Sequence, residues 1–329
     1  VEVLYLAALS RFPTGPEKQN MAAFLGKAKA RADGFNDIVF AITNAKEYQE
    51  LHGIKIKIPN EGKQPPREVK PVNPVSVQAP VNPVVTQERV IKGHTGVVYA
   101  VAISPDGKQV ASAGTSRVIR VSDAATGKLI NVLEGHSDAV TALAYSSDGK
   151  TLASASNDHT IRMWNSNSAE IVQTLKKHRG AISTLAFSPD GKWLASGGND
   201  GWLLVWDALS GELAAELPGH AETYVTGVAF APDSKRLASV GFDRKLRVWD
   251  VEKRRQVYAI EAVQKTEVPD GVAALFAVSY SAAGTRVVSG SGVISESDNR
   301  DAILGIWNAA DGKDVLQIPT KARRVSGLT

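Results

Sequence analysis

A histidine recurs at a fixed interval of 42 residues in the chain, and this period restricts the fold more than any other feature. The histidines are His94, His136, His178 and His220. A turn follows each of them, at Ser104-Pro105-Asp106-Gly107, Ser147-Asp148-Gly149, Ser188-Pro189-Asp190-Gly191 and Ala231-Pro232-Asp233-Ser234. A Trp-Asp or Trp-Asn pair ends the later units, at Trp164-Asn165, Trp206-Asp207, Trp249-Asp250 and Trp307-Asn308, and Ser122-Asp123 takes that place in the first. A fixed period of this length indicates a repeat architecture.

Each unit contains alternating apolar runs such as VYAVAIS, QVASAG, TIRMWN and IVQTL, which predict four short β-strands separated by turns. The period and its three marks resemble WD repeats, in which one unit forms about one blade of a β-propeller. The resemblance implies an all-β WD-repeat β-propeller over residues 90–329, with five visible blades and the start of a sixth from Arg324. Because propellers of this family commonly have about seven blades, we expect the set to be truncated and the chain to be a fragment.

Four side chains stand at matching places in units two, three and four. They are His136, Ser154, Asp158 and Trp164, then His178, Ser196, Asp200 and Trp206, then His220, Ser239, Asp243 and Trp249. Histidine, aspartate and serine also make up hydrolase triads, but an active site occurs once and this set occurs three times. In WD repeats such groups form a hydrogen-bonded chain inside the blade, with the serine between histidine and tryptophan. The resemblance therefore implies structural residues, and no catalytic residue is predicted.

The first and fifth units depart from this pattern. The first has Ser116 in place of the aspartate and Ser122 in place of the tryptophan, while the fifth has no clear histidine. The fifth also carries an insertion, residues 290–300, that brings Glu296 and Asp298 near Asp301 in sequence. Clustered carboxylates can bind calcium, but these lack a regular ligand spacing. We interpret the insertion as a solvated loop, and we predict neither a metal nor a cofactor.

Partners of WD propellers usually dock on the face around the central channel, and the resemblance points to two kinds of position there. One is the residue after the first apolar residue of each inner strand: Tyr99, Thr141, Ser183 and Thr226. The other is the residue before the turn aspartate: Asn157, Asn199 and Phe242, with Thr115 in the first unit. Tyr224 is added as an aromatic neighbour, because aromatic side chains are enriched at binding hot spots. Packing against neighbouring blades is the alternative explanation for each aromatic residue.

Charge and composition narrow the range of partners. The net charge of +4 divides into +3 within residues 1–90 and +1 in the remainder, so the repeats lack the basic surplus of a nucleic-acid-binding face. The clusters Lys176–Arg179 and Lys253–Arg255 are interpreted as solvated turns. The chain has no cysteine, which excludes disulfides and thiolate zinc sites in this segment. It also has no apolar run long enough for a membrane span.

Residues 1–58 show helical periodicity and predict three short amphipathic helices. The positions Leu4-Tyr5, Leu9-Ser10-Arg11, Pro13-Thr14, Asn44 and Glu47-Tyr48 resemble the C-terminal helices of planctomycete domains of unknown function that accompany cytochrome-c-like modules. Residues 59–89 are rich in proline and valine and predict an extended linker. The resemblance implies an exported or periplasmic protein with a larger domain upstream; without it, a cytoplasmic location stays open.

These features predict a noncatalytic scaffold that binds a protein or peptide on the propeller face. The alternative is the accessory or targeting tail of a larger planctomycete-type enzyme or redox protein, whose catalytic or haem domain lies upstream. A propeller hydrolase or lyase would need a nonrepeated cluster of acids, histidine or arginine at the channel mouth, and the sequence shows none. An unclosed propeller would also leave an exposed edge, which predicts self-association.

Overall fold

The computed structural model describes residues 91–220, 223–263, 273–293, 302–320, 324–325 and 327–328. The predicted helical module at 1–58 and the linker at 59–89 lie outside these residues. So do Glu296, Asp298 and Asp301 of the fifth unit. The described part of the chain contains β-strands, turns and irregular segments, and no helix.

Twenty strands form five antiparallel sheets of four strands each, and in every sheet the strands are adjacent in chain order. Sheet 1 contains β1 (Val98–Ile103), β2 (Gln109–Gly114), β3 (Ile119–Asp123) and β4 (Leu129–Leu133). Sheet 2 contains β5 (Val140–Tyr145), β6 (Thr151–Ser156), β7 (Thr160–Asn165) and β8 (Ile171–Lys176). Sheet 3 contains β9 (Ile182–Phe187), β10 (Trp193–Gly198), β11 (Leu203–Asp207) and β12 (Leu213–Leu217).

Sheet 4 contains β13 (Val225–Phe230), β14 (Arg236–Gly241), β15 (Lys245–Asp250) and β16 (Arg255–Glu261). Sheet 5 contains β17 (Ala273–Tyr280), β18 (Arg286–Val293), β19 (Ala302–Asn308) and β20 (Asp314–Thr320). The first strands of consecutive sheets lie next to one another, β1 beside β5, then β9, β13 and β17. The five predicted four-stranded units are therefore confirmed, and the sheets stack face to face in chain order.

The hydrophobic core lies between the sheets, because each strand alternates apolar side chains between its two faces. Small residues of one sheet, such as Ala111 and Ala113, are fully buried against the tryptophan of the next, Trp164. The same arrangement recurs for Trp206, Trp249 and Trp307. Each closing tryptophan thus packs on the preceding sheet, which explains why the residue recurs with the period.

A β-bulge interrupts the first ladder of every sheet. In sheet 2, Val140 pairs with Ser156 and Ala142 with Ala155, which leaves Thr141 outside the ladder. The corresponding unpaired residues in the other sheets are Tyr99, Ser183, Thr226 and Phe276. A bulge turns a side chain away from its regular direction and is often found beside functional sites. These five residues therefore occupy one equivalent place in each sheet.

The residues Arg324 and Val325 lie against sheet 5. Arg324 forms an isolated antiparallel bridge with Gly292, and the Val325 amide donates to the Ser291 carbonyl over 2.9 Å. The Val325 side chain abuts Gly290, much as Val225 of sheet 4 abuts Gly197 of sheet 3. This placement resembles the entry of an inner strand into a following sheet, the role expected for this segment from its sequence.

Candidate functional site

The repeated polar residues of sheet 2 form one hydrogen-bonded chain. The Trp164 Nε1 donates to Ser154 Oγ over 2.8 Å, and Ser154 Oγ lies 2.8 Å from His136 Nε2. The other ring nitrogen, Nδ1, lies 2.8 Å from an oxygen of Asp158. Since a carboxylate only accepts, Nδ1 carries the proton and Nε2 accepts from the serine hydroxyl. Every member of the chain therefore has a partner of the right kind.

Sheets 3 and 4 repeat this geometry. In both sheets the serine Oγ lies 2.8 Å from the histidine Nε2 and 2.9 Å from the tryptophan Nε1. The residues are His178, Ser196 and Trp206 in sheet 3, and His220, Ser239 and Trp249 in sheet 4. Asp200 lies 2.9 Å and Asp243 3.0 Å from its histidine Nδ1. In sheet 4 Arg247 also pairs with Asp243. Sheet 2 has the equivalent Arg162, whose charge lowers the pKa of His136, and sheet 3 has Leu204 at this place.

The end sheets hold incomplete versions of the chain. In sheet 1, His94 Nε2 lies 2.8 Å from Ser112 Oγ, and Nδ1 reaches only Ser116 Oγ at 3.3 Å. Ser122 stands where the tryptophan would donate. In sheet 5, Trp307 Nε1 donates to Ser289 Oγ over 2.9 Å. The substitutions seen in the sequence therefore leave sheets 1 and 5 with fewer members in this hydrogen-bonded chain than sheets 2 to 4 have.

Burial and hydrogen bonding shift the protonation of these groups in a consistent direction. Burial lowers the pKa of His136 and of His220 below the usual value, although the neighbouring aspartate opposes the shift. Burial alone would raise the pKa of Asp158, but hydrogen bonds from Thr160, His136 and the Ser137 amide outweigh it and lower the pKa to about 2. Neutral histidine beside charged aspartate is the state that the hydrogen-bonded chain requires.

The serines of the chain are unsuited to nucleophilic attack. Ser154, Ser196 and Ser239 are completely buried, and each already receives the indole proton of a tryptophan. A nucleophile must reach the substrate carbonyl at close range. No substrate atom can approach these hydroxyls without removing the tryptophan, so the repeated sets hold the sheets together and offer no exposed nucleophile.

The bulge residues with hydroxyl groups connect neighbouring sheets. Thr141 Oγ1 donates to the Ile182 carbonyl of sheet 3, and Ser183 Oγ donates to the Val225 carbonyl of sheet 4. Thr226 Oγ1 makes the same bond to Leu275 of sheet 5. A hydroxyl has one proton, so the longer approaches to carbonyls of their own sheets, 3.1 to 3.2 Å, are secondary. These three candidate binding residues therefore also have a structural task.

Five of the eight candidate binding residues line one groove. They are Tyr99, Thr141, Asn157, Ser183 and Asn199, and the groove has a volume of about 350 Å³. The Asn157 and Asn199 backbone amides are fixed by the Ala139 and Ala181 carbonyls. Their side-chain amides make no hydrogen bond with the described residues, so donors and acceptors are free in the groove. Thr115, the equivalent position in sheet 1, instead lies 3.4 Å from the Val97 carbonyl.

The remaining three candidates lie at sheets 4 and 5 with an additional aromatic residue. The rings of Tyr224 and Phe242 are 5.0 Å apart, and those of Phe242 and Phe276 are 5.7 Å apart and nearly perpendicular. Tyr224 is exposed, whereas Phe276 is buried. Thr226 adjoins this cluster through its bond to the Leu275 carbonyl. The candidates thus divide between a polar groove and an aromatic cluster.

Phe276 is the residue that the sequence reasoning missed. The fifth unit has no marker histidine, so its inner strand was not aligned with the others. A second signal was available, because each bulge residue precedes the left-handed turn residue by eight positions. Counting back from Gly284, whose φ is 69°, reaches Phe276, just as counting from Ser234 reaches Thr226.

The basic clusters form surface ion pairs. Lys177 pairs with Glu216 over 2.7 Å, and Lys253 pairs with Asp250 over 3.3 Å. Within the described ranges, no group of three His, Asp or Glu side chains is placed to hold a metal ion. That part of the chain also contains no helix long and apolar enough to cross a membrane.

Comparison with known proteins agrees with the geometry. The family model for the WD domain, G-beta repeat, matches four segments, residues 85–123, 127–165, 169–207 and 211–250. The first segment contains β1 to β3, and each later one joins the fourth strand of one sheet to the first three strands of the next. The strand β16 and sheet 5 lie outside the matched segments. No curated protein matches the chain. The recurrent sheets, the buried histidine-to-tryptophan chains and the four matched segments together show WD repeats over residues 85–250 and support a WD-repeat β-propeller.

Proposed function

We propose that the chain is a noncatalytic scaffold that binds an extended peptide segment of a partner protein in the groove between Tyr99 and Asn199. WD repeats generally mediate protein interactions. The observation that carries the proposal is the convergence of five sequence-selected residues on this one groove. The noncatalytic character rests on the buried serines, whose hydroxyls are already hydrogen-bonded.

The chemistry of the groove suits a peptide backbone. Each free carboxamide, from Asn157 and from Asn199, offers both a donor and an acceptor, which is the complement of a peptide unit. Tyr99 adds an exposed ring that can cover an apolar side chain at little cost in conformational freedom. The two asparagines occupy equivalent positions in adjacent sheets, so they can pair with successive parts of an extended segment.

The test begins with a phage-displayed library of random peptides selected on the whole chain. A synthetic copy of the selected peptide is then titrated against the Asn157→Ala, Asn199→Ala double variant by fluorescence polarisation. Two hydrogen bonds of about 1 kcal/mol each predict at least about a tenfold loss of affinity. Asn167→Ala is the matched control, since this exposed asparagine lies in the β7–β8 turn. Equal affinity for all three proteins would overturn the groove assignment.

We also propose that a second copy of the chain covers the outer side of sheet 1. Val97, Val98, Tyr99, Val101 and Ile103 are exposed there, whereas Val225, Val228 and Phe230, the sheet 4 equivalents of Val98, Val101 and Ile103, are buried. An apolar patch present on both copies is self-complementary in a two-fold dimer. The nearly neutral repeats oppose such contact only weakly.

A further inference from the structure

Arg324 makes a cation–π contact that lies outside the groove proposed above. Its guanidinium carbon lies 3.7 Å from the centre of the Phe276 ring. At this distance the planar cation rests on the ring face, where the negative quadrupole of the aromatic ring attracts it. Phe276 in turn packs edge-on against Phe242, which contacts Tyr224. One guanidinium is therefore held at the end of a row of three aromatic residues.

Phe276 is held rigidly in this row. It is the bulge residue of β17, and the Thr226 hydroxyl fixes the carbonyl of the preceding residue, Leu275. The other bulge residues of sheets 2 to 4 carry hydroxyls that bond to the next sheet. A phenyl ring can make no such bond, so the side chain of Phe276 does not link its sheet to the next one as the hydroxyls do.

The segment that delivers Arg324 rests on two glycines. An added Cβ at Gly292 would lie 2.8 Å from Arg324 Cα, and one at Gly290 would lie 2.5 Å from a methyl group of Val325. Among the described residues, its backbone contacts are the antiparallel bridge of Arg324 with Gly292 and the bond from the Val325 amide to the Ser291 carbonyl. Arg324 is exposed although its guanidinium covers the Phe276 ring, so a competing ligand can reach the contact, whereas the aromatic row belongs to the sheets themselves.

The contact favours arginine over lysine. The guanidinium is planar and weakly hydrated, so it stacks on a ring face at lower desolvation cost than a compact ammonium. Arg324 forms no ion pair with the residues that the structure describes, and burial lowers its pKa. Arg324 as a whole is exposed, so the ring face replaces water on one side of the guanidinium alone.

We propose that Tyr224, Phe242 and Phe276 form a binding site for the arginine side chain of a partner peptide, and that Arg324 occupies this site within the same chain. The inference rests on the proposed peptide-binding function and deepens it by naming the side chain recognised. Displacement of the Arg324–Val325 segment opens the site, so a partner competes with the chain's own arginine.

The test uses three small probes and the full chain. N-acetyl-arginine methylamide is titrated by NMR against the wild type and the Arg324→Ala variant, with the corresponding lysine and citrulline compounds as controls. Citrulline keeps the planar shape and loses the charge. We expect Arg324→Ala to bind the arginine probe about tenfold more tightly than the wild type does, and about tenfold more tightly than it binds citrulline.

Two further variants make the result independent of folding defects. Gly292→Ala leaves Arg324 and the rings intact but crowds the segment, so it should open the site as Arg324→Ala does. Phe276→Leu added to Arg324→Ala removes the ring face and should abolish binding, with the melting temperature showing whether the fold persists. If Arg324→Ala binds no better than the wild type, or if citrulline binds equally well, the proposal is overturned.

The groove variants separate this proposal from the function on which it rests. Asn157→Ala with Asn199→Ala, added to Arg324→Ala, should leave binding of the arginine probe unchanged, because these residues line the groove and not the aromatic row. Loss of the selected peptide with retention of the arginine probe would support both assignments. If the triple variant still binds both the selected peptide and the arginine probe, the groove assignment is overturned and the arginine site stands.

Discussion

A buried serine hydroxyl links two other polar groups within sheet 2. In sheet 2 the Ser154 hydroxyl accepts from an indole and donates to an imidazole, and all three groups are buried. Sheet 1 supplies a natural comparison, since Ser112 contacts His94 but has no tryptophan opposite. The two serines therefore differ in the number of buried groups that depend on them.

Replacement of Ser154 by alanine should destabilise the fold more than the same change at Ser112. Ser154→Ala leaves the Trp164 and His136 nitrogens without partners, each at a cost of about 1–3 kcal/mol. Ser112→Ala affects only the partly buried His94. Chemical denaturation of both variants measures the difference in free energy of unfolding. Equal losses would show that the indole bond contributes nothing.

The buried histidines should make stability depend on pH in one direction. Burial lowers the pKa of His136 and His220 in the folded state, so below about pH 6.5 the unfolded chain binds protons that the folded chain does not. Stability is therefore full above this pH and falls as the pH decreases. Asp158 and Asp243, each with a pKa of about 2, stay charged through this window and lose their contribution only under stronger acid.

Melting temperatures measured from pH 8 to pH 5 check this expectation. The wild type should melt at a constant temperature down to about pH 6.5 and at lower temperatures below it. His220→Gln should flatten that decline, because one buried imidazole no longer titrates. His159→Asn is the control, since His159 is exposed in a left-handed turn that asparagine tolerates. A decline of unchanged slope in His220→Gln would contradict the assignment.

The hydrogen-bonded residues could be selected from the sequence because three marks keep their spacing. The contacts of the bulge residues could not be predicted from this spacing. Thr141 and Tyr99 occupy equivalent positions, yet one bonds to the next sheet and the other is exposed. That difference depends on the side chain, because the threonine hydroxyl is attached to Cβ and reaches the neighbouring carbonyl, whereas the tyrosine hydroxyl lies at the far end of a ring.

At the scale of elements, the turn between the third and fourth strands shows how a backbone requirement is met by different residues. Its final residue has positive φ in every sheet. Glycine takes the place in sheets 1, 3 and 5, at Gly127, Gly211 and Gly312, whereas Ala169 and Arg254 stand there in sheets 2 and 4. The spacing of five residues after the tryptophan position is constant, so the sequence predicts the turn. An L-residue pays about 1–2 kcal/mol for this conformation.

Arg254→Gly should therefore stabilise sheet 4 by up to about 1 kcal/mol. Arg254 is exposed and has φ of 52°, so glycine relieves strain and removes no buried contact. Part of the gain is offset because glycine increases the freedom of the unfolded chain. Arg254→Ala separates strain from charge, because it removes the same charge and keeps the strain. If the alanine variant gains as much as the glycine variant, charge repulsion within Lys253–Arg255 is the cause.

At the scale of the molecule, the period predicted five sheets because each unit must bury both faces against its neighbours. The period does not predict what covers the first and last sheets. One face of each has no neighbouring unit of the same kind in the described residues. Sheet 1 shows the consequence in its side chains. Val101 is 61% and Ile103 63% exposed, while Val228 and Phe230, the equivalents in sheet 4, are each 8% exposed.

This exposed side should cause concentration-dependent association. Apolar area contributes about 25 cal/mol per Å² when it is removed from water, so a patch of several large side chains on each copy favours contact. Val101→Lys with Ile103→Lys places two charges in the patch and should leave a monomer in sedimentation velocity at concentrations where the wild type sediments faster. Leu209→Lys is the control, because Leu209 is 91% exposed in a turn and belongs to no patch. A wild type that stays monomeric throughout, or a Leu209 variant that dissociates equally, would refute the role assigned to sheet 1. The two substituted side chains lie on β1, away from the Ser154 chain and the Phe276 row. A change in sedimentation therefore reports on the exposed side of sheet 1 and not on damage to either of these.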